Sequence, residues 1–330
     1  MAFEPSNQVI DVDEELERDD DQDSTYGSEV GSITGTLHSD MMKYRFEHGR
    51  RYLDRDGPDY FFPNDEIEQD RLDIIHHMTD LVLEGRLFLA PIDSNPHRIL
   101  DLGTGTGIWA IDVGDMYPSA EVLGNDLSPI QPNMVPQNVI FEVDDMEEEW
   151  TYSTPFDFIH GRYLATAIRD WPRLMLQTFI HLRPGGWAEF CDYDFRYKCD
   201  DGTLTPDLAM VQNDILVIEA ADRLGRTACP GPHLKGWMEQ AGFTNITEKC
   251  YKLPIGPWPR DPRMKEIGSW NQLQFLQGAE AWSMTLLMQA YGWTAEQVQA
   301  QVAQVRNDAQ NMRIHAYYLM YVVYGQKPGP

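Results

Sequence analysis

Arg98-Ile-Leu-Asp-Leu-Gly-Thr-Gly-Thr-Gly-Ile-Trp109 is the stretch on which the fold turns. An apolar run enters a tight glycine loop, and a helical pattern resumes after it. Strand, loop and helix in that order form the first unit of a nucleotide-type α/β sheet, where the glycines let backbone approach a ligand. Asp101 stands two residues before the first glycine. A carboxylate there would repel a pyrophosphate. S-adenosylmethionine has no phosphate and brings two cationic groups, an α-amino group and a sulfonium, so Asp101 suits it better. Gly103, Gly105 and Gly107 read GxGxG, one residue short of the dinucleotide spacing GxGxxG. An ordinary glycine turn in some other α/β protein would read the same way, so the neighbouring segments must decide.

Those segments repeat the theme of a strand ending in acid. Ala120-Glu-Val-Leu-Gly-Asn-Asp126 is a second strand, and Asp126 lies where an acid meets ribose hydroxyls in such sheets. Val139-Ile-Phe-Glu-Val-Asp-Asp145 is a third, placing Asp145 to accept from an adenine amino group and the Met146 amide beside the ring. Phe156 to Arg162 gives a fourth strand, and Arg183-Pro-Gly-Gly-Trp-Ala-Glu-Phe190 a turn into a fifth. Strand ends are often acidic merely because they are solvated. Four strand-plus-acid units in the right order nevertheless point to S-adenosylmethionine as cofactor.

The remaining chain fits around that core. Asp65 to Leu89 carries helical periodicity through Leu72, Ile75, Met78 and Val82, with Pro91 and Pro96 closing it. His76 and His77 within it point about 100° apart and cannot easily share a metal. Helices are expected over Leu204–Leu224 and Leu234–Ala241, a strand over Gly242–Lys249, and helices carrying Trp270, Phe275, Trp282, Met284 and Met288 after a Pro- and Trp-rich link. Thr294 and Gln297 form a capping box ahead of Val298, Val302, Val305 and Ala309, and Ile314–Tyr324 is a last strand. The expected organisation is a disordered acidic tail over 1–40, an N-terminal helical cap segment over 41–96, and a main domain over 97–330 with helical insertions near 201–237 and 257–312.

The 26 Lys and Arg against 53 Asp and Glu leave a net charge of −27. Such a balance argues against direct nucleic-acid binding, which depends on cations that neutralise phosphates, and against anionic membranes. Much of the excess lies in Asp11–Asp23, too polar to recover the entropy of ordering. A calcium loop there would lack its glycine and terminal Glu. Cys191, Cys199, Cys229 and Cys250 show neither CxxC nor zinc spacing, and no metal is expected. With no secretory signal and no long apolar stretch, the protein is expected to be soluble and cytoplasmic.

Together these segments resemble the fungal LaeA-like branch of class I methyltransferases. The matching stretches are Tyr60-Phe-Phe-Pro-Asn-Asp-Glu-Ile-Glu-Gln-Asp-Arg-Leu72, the glycine loop with Ile108–Ile111, Asp126-Leu-Ser-Pro-Ile-Gln-Pro132, Leu182–Trp187 and Ile314-His-Ala-Tyr317. The resemblance implies a seven-stranded, mostly parallel Rossmann-like sheet whose last strand runs antiparallel, with an added helical cap. It carries over Asp101, Gly103, Gly105 and Gly107 at the methionine end, Asp126 at the ribose, and Asp145 with Met146 at adenine. Some members resemble nuclear regulators of secondary metabolism that act with velvet-type proteins; others methylate small metabolites. Thr104 in place of the Cys of the regulators, and a short acidic front end, favour the metabolite enzyme. A velvet-type partner and a nuclear location are expected only under the regulator reading, and methylation of basic histone-like tails is a third reading.

Methyl transfer is an in-line displacement that needs alignment and exclusion of water. An alcohol or phenol would gain from a general base, a carboxylate from a cationic clamp. His160, Arg162 and His315 are the catalytic candidates, with Asp192 and Asp194 also at the sheet edge and Arg45 or Arg51 as further cations. Arg162 suits a clamp, or else a structural pair with Asp170; His315 and Tyr317, at the start of an antiparallel strand, should sit near the ligand mouth, with a hydrogen-bonded structural His315 as the favoured alternative.

Overall fold

The computed structural model describes residues 8–13, 44–54 and 61–329. Two short strands, β1 (Tyr44–Glu47) and β2 (Arg50–Leu53), make a hairpin turned at His48 and Gly49, both with positive φ. The hairpin was not expected within a helical segment. It is held by Arg50, whose guanidinium grips Asp65 through bonds of 2.6 and 2.9 Å. Asp65 also caps α1 (Glu66–Val82) by accepting from Glu68 N–H. That helix ends before Leu89, because Glu84 and Gly85 adopt left-handed φ and turn the chain.

β3 (Arg98–Leu102), α2 (Ile108–Met116), β4 (Glu121–Asp126), β5 (Val139–Val143), β6 (Phe156–Arg162), α3 (Trp171–His181) and β7 (Leu182–Lys198) then alternate. After α4 (Ala209–Arg223) and α5 (Leu234–Ala241) come β8 (Thr244–Pro254), α6 (Pro262–Tyr291), α7 (Ala295–Gln310) and β9 (Tyr317–Gln326). The sheet order is β5-β4-β3-β6-β7-β9-β8, and β9 runs antiparallel to both neighbours. Ile99, Leu100 and Leu102 are all buried, as a parallel strand covered on both faces requires. The chain leaves β3 toward β4 and β5, then crosses back to β6. That reversal opens a crevice at the carboxyl ends of β3 and β6, where ligands of such sheets bind.

The cap is built from α1, α4, α6 and α7, which share one apolar cluster with the outer part of the sheet. α6 is a single 30-residue helix capped by Asp261 and ended by left-handed Gly292, where the sequence suggested several. α5 packs beside α3 on the flank of the sheet, away from that cap. Residues 8–13 of the expected tail lie against the molecule: Val12 bridges Pro259, and Asp13 N–H donates to the Trp258 carbonyl at 2.9 Å. The rest of the acidic segment lies outside the described residues.

Candidate active site

The glycine loop leaves β3 with Gly103, Gly105 and Gly107 at φ of 63°, 58° and 81°. Side chains rarely adopt this region. The loop is anchored from β4. Asp126 accepts Gly105 N–H and Ser128 N–H, each at 2.9 Å, and the Asn125 carbonyl accepts Thr104 N–H at 2.9 Å. Burial pushes the Asp126 carboxyl up to about 6, against the pull of those amides. A carboxylate has about four acceptor positions, so the backbone amides on Asp126 still leave room for a further donor.

Asp101 stands behind the loop. It is 3% exposed, accepts the Thr104 hydroxyl at 2.7 Å on one oxygen and pairs with His160 Nδ1 at 2.7 Å on the other. The register of β3 on β6 sets Asp101 opposite His160 and explains the pair. His160 is therefore misplaced as a catalytic candidate. It is 1% exposed, its ring stacks on Trp109 at 3.7 Å and 6°, and burial lowers its pKa. An imidazole so enclosed is paired with Asp101 behind the loop and does not line the cleft in front of it.

In front of the loop lies an open cleft of about 1000 Å³. Gly103, Gly105, Asp126, Asp145, Met146 and Arg162 line it; Gly107 and Asp101 do not. A Cβ on Gly103 would come 2.6 Å from Leu164 Cδ2 and 3.1 Å from Met146 Cε, both cleft-wall residues. A side chain at Gly103 would therefore crowd the cleft wall. Acid from two strand ends and a bare glycine backbone suit a nucleoside with hydroxyls and a cationic tail. The residues present fit S-adenosylmethionine.

Arg162 reaches the cleft because it ends β6, one position beyond Gly161, which pairs with Leu102. Its Nη2 donates to His76 Nδ1 at 2.7 Å, and His76 Nε2 in turn donates to Asp112 at 3.0 Å. Asp170 instead caps α3, so the expected Arg162–Asp170 pair is replaced by this relay. His315 is also away from the cleft. Its backbone N–H donates to Thr203 Oγ1 at 2.9 Å, its Nδ1 pairs with Asp201, and its ring lies 5.1 Å from Trp258. Tyr317 likewise donates to Asp200 at 2.7 Å. Neighbouring strand residues face opposite sides, so it is Tyr318 of β9 that faces the cavity beside the cleft. Asp192 accepts Leu164 N–H at 2.7 Å, and burial pushes it up to about 7; it fastens the turn after β6. Asp194 is held by Arg196. Arg45 pairs within the hairpin with Glu47, and Arg51 reaches Glu66 at the start of α1.

A second chamber of about 840 Å³ adjoins the cleft, and both are lined by Leu72 and Tyr163. Aromatic side chains make up a good part of its walls, with Tyr163 stacked on Tyr193 at 4.8 Å and 19°. Sequence reasoning allowed the late helix with Trp282 to fold over the ligand site, but it did not assemble the chamber. Tyr163 and Thr166, just past β6, sit at φ of 58° and 60°, a sign of a constrained turn that no composition signal carries.

A family model described as "Methyltransferase domain" matches residues 74–248. "Methyltransferase pytC" of Aspergillus terreus is 46% identical over 301 residues, covering 91% of this chain and 93% of that protein. "Secondary metabolism regulator LAE1" of Cochliobolus heterostrophus is 38% identical over 296 residues, covering 87% and 94%. "Protein-methionine methyltransferase laeA" of Emericella nidulans is 35% identical over 305 residues, covering 92% and 81%. No helix among the described residues is long and apolar enough to cross a membrane, and none of their acidic, His or Cys groups cluster as a metal site. With this fold, this loop and these relatives, the chain belongs to the LaeA-like family of S-adenosylmethionine-dependent methyltransferases.

Proposed function

We propose that the chain methylates an oxygen of a small metabolite held in the aromatic chamber. The observation that carries this reading is the meeting of chamber and cleft at Leu72 and Tyr163. A donor in one space and an acceptor in the other can align there with water excluded, which is the main demand of an in-line displacement. When bound, the cofactor supplies an electrophilic methyl on a cationic sulfur. In this reading Gly103 and Gly105 admit its amino-acid end, and Arg162, steadied by His76, faces the carboxylate of that end. Asp126 accepts from the ribose hydroxyls, Asp145 from the adenine amino group, and the Met146 amide meets the ring. Asp101, His160 and Gly107 hold the loop in place, and His315 takes no part. The identity to pytC, a methyltransferase by name, supports the enzyme.

The test combines purified protein, methyl-labelled S-adenosylmethionine and a fractionated metabolite extract. Label should move into at least one small-molecule fraction; none in any fraction would refute the reading. A second reading is favoured by the relatives named as regulators: the chain acts in the nucleus through a velvet-type protein. Capture of a stoichiometric partner from native lysate, with no label transfer, would establish that reading over the cytoplasmic enzyme. Neither reading requires contact with nucleic acid.

A further inference from the structure

We infer that the acceptor is an uncharged, flat aromatic molecule bearing hydroxyl and carbonyl groups, recognised at its edge by Thr166, Asn213 and Asp214. This rests on the chamber being the acceptor site, as proposed above.

The chamber holds no charge to spare. Arg71 is its cation, and Glu68 takes both ends of the guanidinium, with Nε to Oε2 at 2.9 Å, while Gln274 accepts a further N–H at 3.2 Å. Burial pushes the phenols of Tyr163, Tyr193, Tyr197 and Tyr318 well above their ordinary range, so they stay protonated. Asp214 accepts Tyr197 N–H at 3.3 Å and is pushed up to about 8 by burial, so near neutrality it carries a proton it can donate. From β7, Asp194 raises it further and Arg196 opposes that. A carboxylate entering this space would surrender its hydration and meet no unpaired cation.

The polar groups of the chamber are incomplete in a particular way. Asn213 is 1% exposed; its Nδ2 donates to Ser283 Oγ at 3.2 Å, while its Oδ1 has no partner among the described residues. Thr166 is 4% exposed, and its Oγ1 also has none. The Tyr193 hydroxyl is a third such atom, and because buried polar groups are nearly always paired, three of them on residues that line one chamber point to a ligand that completes them. Asn213 Oδ1 calls for a hydroxyl donor. The Asp214 proton calls for a carbonyl or ether oxygen, and Thr166 serves either. The stacked Tyr163–Tyr193 pair and the Trp282 indole offer flat apolar walls, which fit a ring system better than a branched aliphatic one.

The experiment titrates the full chain, saturated with S-adenosylhomocysteine, with a naphthalenediol and with naphthoate, its anionic counterpart of similar frame. At neutral pH the diol should bind at least about 30-fold more tightly, since the anion finds no cation. Thr166→Val removes no hydrogen bond of the free protein. It should weaken the diol about ten-fold while leaving Tm and S-adenosylhomocysteine affinity unchanged. Diol affinity should fall as pH rises through about 8 in the wild type, beyond the fall that ionisation of the diol produces in Asp214→Asn. Equal or tighter naphthoate, no measurable diol binding, or indifference to Thr166→Val would overturn the inference. Label passing into a carboxylic acid fraction would overturn it too while leaving the methyltransfer reading intact; absence of label from every fraction would sink that reading, whatever the titrations give.

Discussion

Alanine placed singly at Gly103, Gly105 and Gly107 separates what the loop does for the fold from what it does for the ligand. All three have positive φ, which costs a side chain about 1–2 kcal/mol. The space around them differs. At Gly107 the new methyl would sit 2.4 Å from Phe141 Cζ, the far edge of a ring packed on β4 and α2, so overpacking adds about 1–3 kcal/mol. At Gly103 it would meet Leu164 Cδ2 at 2.6 Å, a flexible end that can yield, which places the added cost toward the lower part of that range. At Gly105 it meets Leu72 Cδ1 at 3.4 Å, ordinary contact, so only the backbone term remains. Stability should therefore fall in the order Gly107→Ala, then Gly103→Ala, then Gly105→Ala, with the first losing about 2–5 kcal/mol. Affinity for S-adenosylhomocysteine should follow a different order. Gly103 and Gly105 line the cleft and Gly107 does not, so Gly105→Ala should lose about ten-fold or more, roughly 1.4 kcal/mol, and Gly107→Ala much less at a temperature where both are folded. Urea unfolding and calorimetric titration read the two quantities. If Gly107→Ala kept wild-type stability, or lost as much affinity as Gly105→Ala, the division of labour described here would be wrong.

Three further outcomes are expected. Asp101→Asn turns an amide N–H toward either the Thr104 hydroxyl or His160 Nδ1, both now donating to the carboxylate; cofactor affinity should drop about ten-fold through the misplaced loop, measured by calorimetry. Arg162→Gln should weaken S-adenosylhomocysteine more than decarboxylated S-adenosylhomocysteine, and equal losses would remove Arg162 from the carboxylate. Stability should fall as pH rises from about 6 to 8, because burial raises Asp214 to about 8 and the folded chain keeps a proton the unfolded carboxyl has shed, and fall again above about 8.5, where the unfolded chain sheds the Cys191 and Cys229 protons that burial retains. Each such proton steepens the fall by up to about 1.4 kcal/mol per pH unit, and Asp214→Asn should make the Tm profile shallower.

The parts of the molecule legible in sequence were those set by short-range pattern. β3 is an apolar run that meets three glycines, and the strand buries Ile99, Leu100 and Leu102 just before the loop begins. The Thr294–Gln297 capping box lies within one helical turn and is formed as expected. What failed was long-range. The β1–β2 hairpin has charged, half-exposed strands and depends on Arg50 reaching Asp65. His160 and Asp101, each plausible at a strand end, consume one another across the ladder, a consequence of register that neither strand encodes alone. The chamber draws its walls from α1, the turn after β6, β7, α4, α6 and β9, so no local window contains it.

Titration of the wild-type chain with S-adenosylhomocysteine, repeated for Asp126→Ala across pH, tests the account at its centre. One molecule should bind per wild-type chain, with affinity rising as pH passes about 6 because ligand hydroxyls donate to the ionised Asp126 carboxylate, and levelling off above it. Asp126→Ala should bind at least about ten-fold more weakly and lose that pH step. No binding to the wild type, or an unchanged affinity and pH profile without the Asp126 carboxylate, would contradict the placement of the cofactor at the carboxyl ends of β3 and β4.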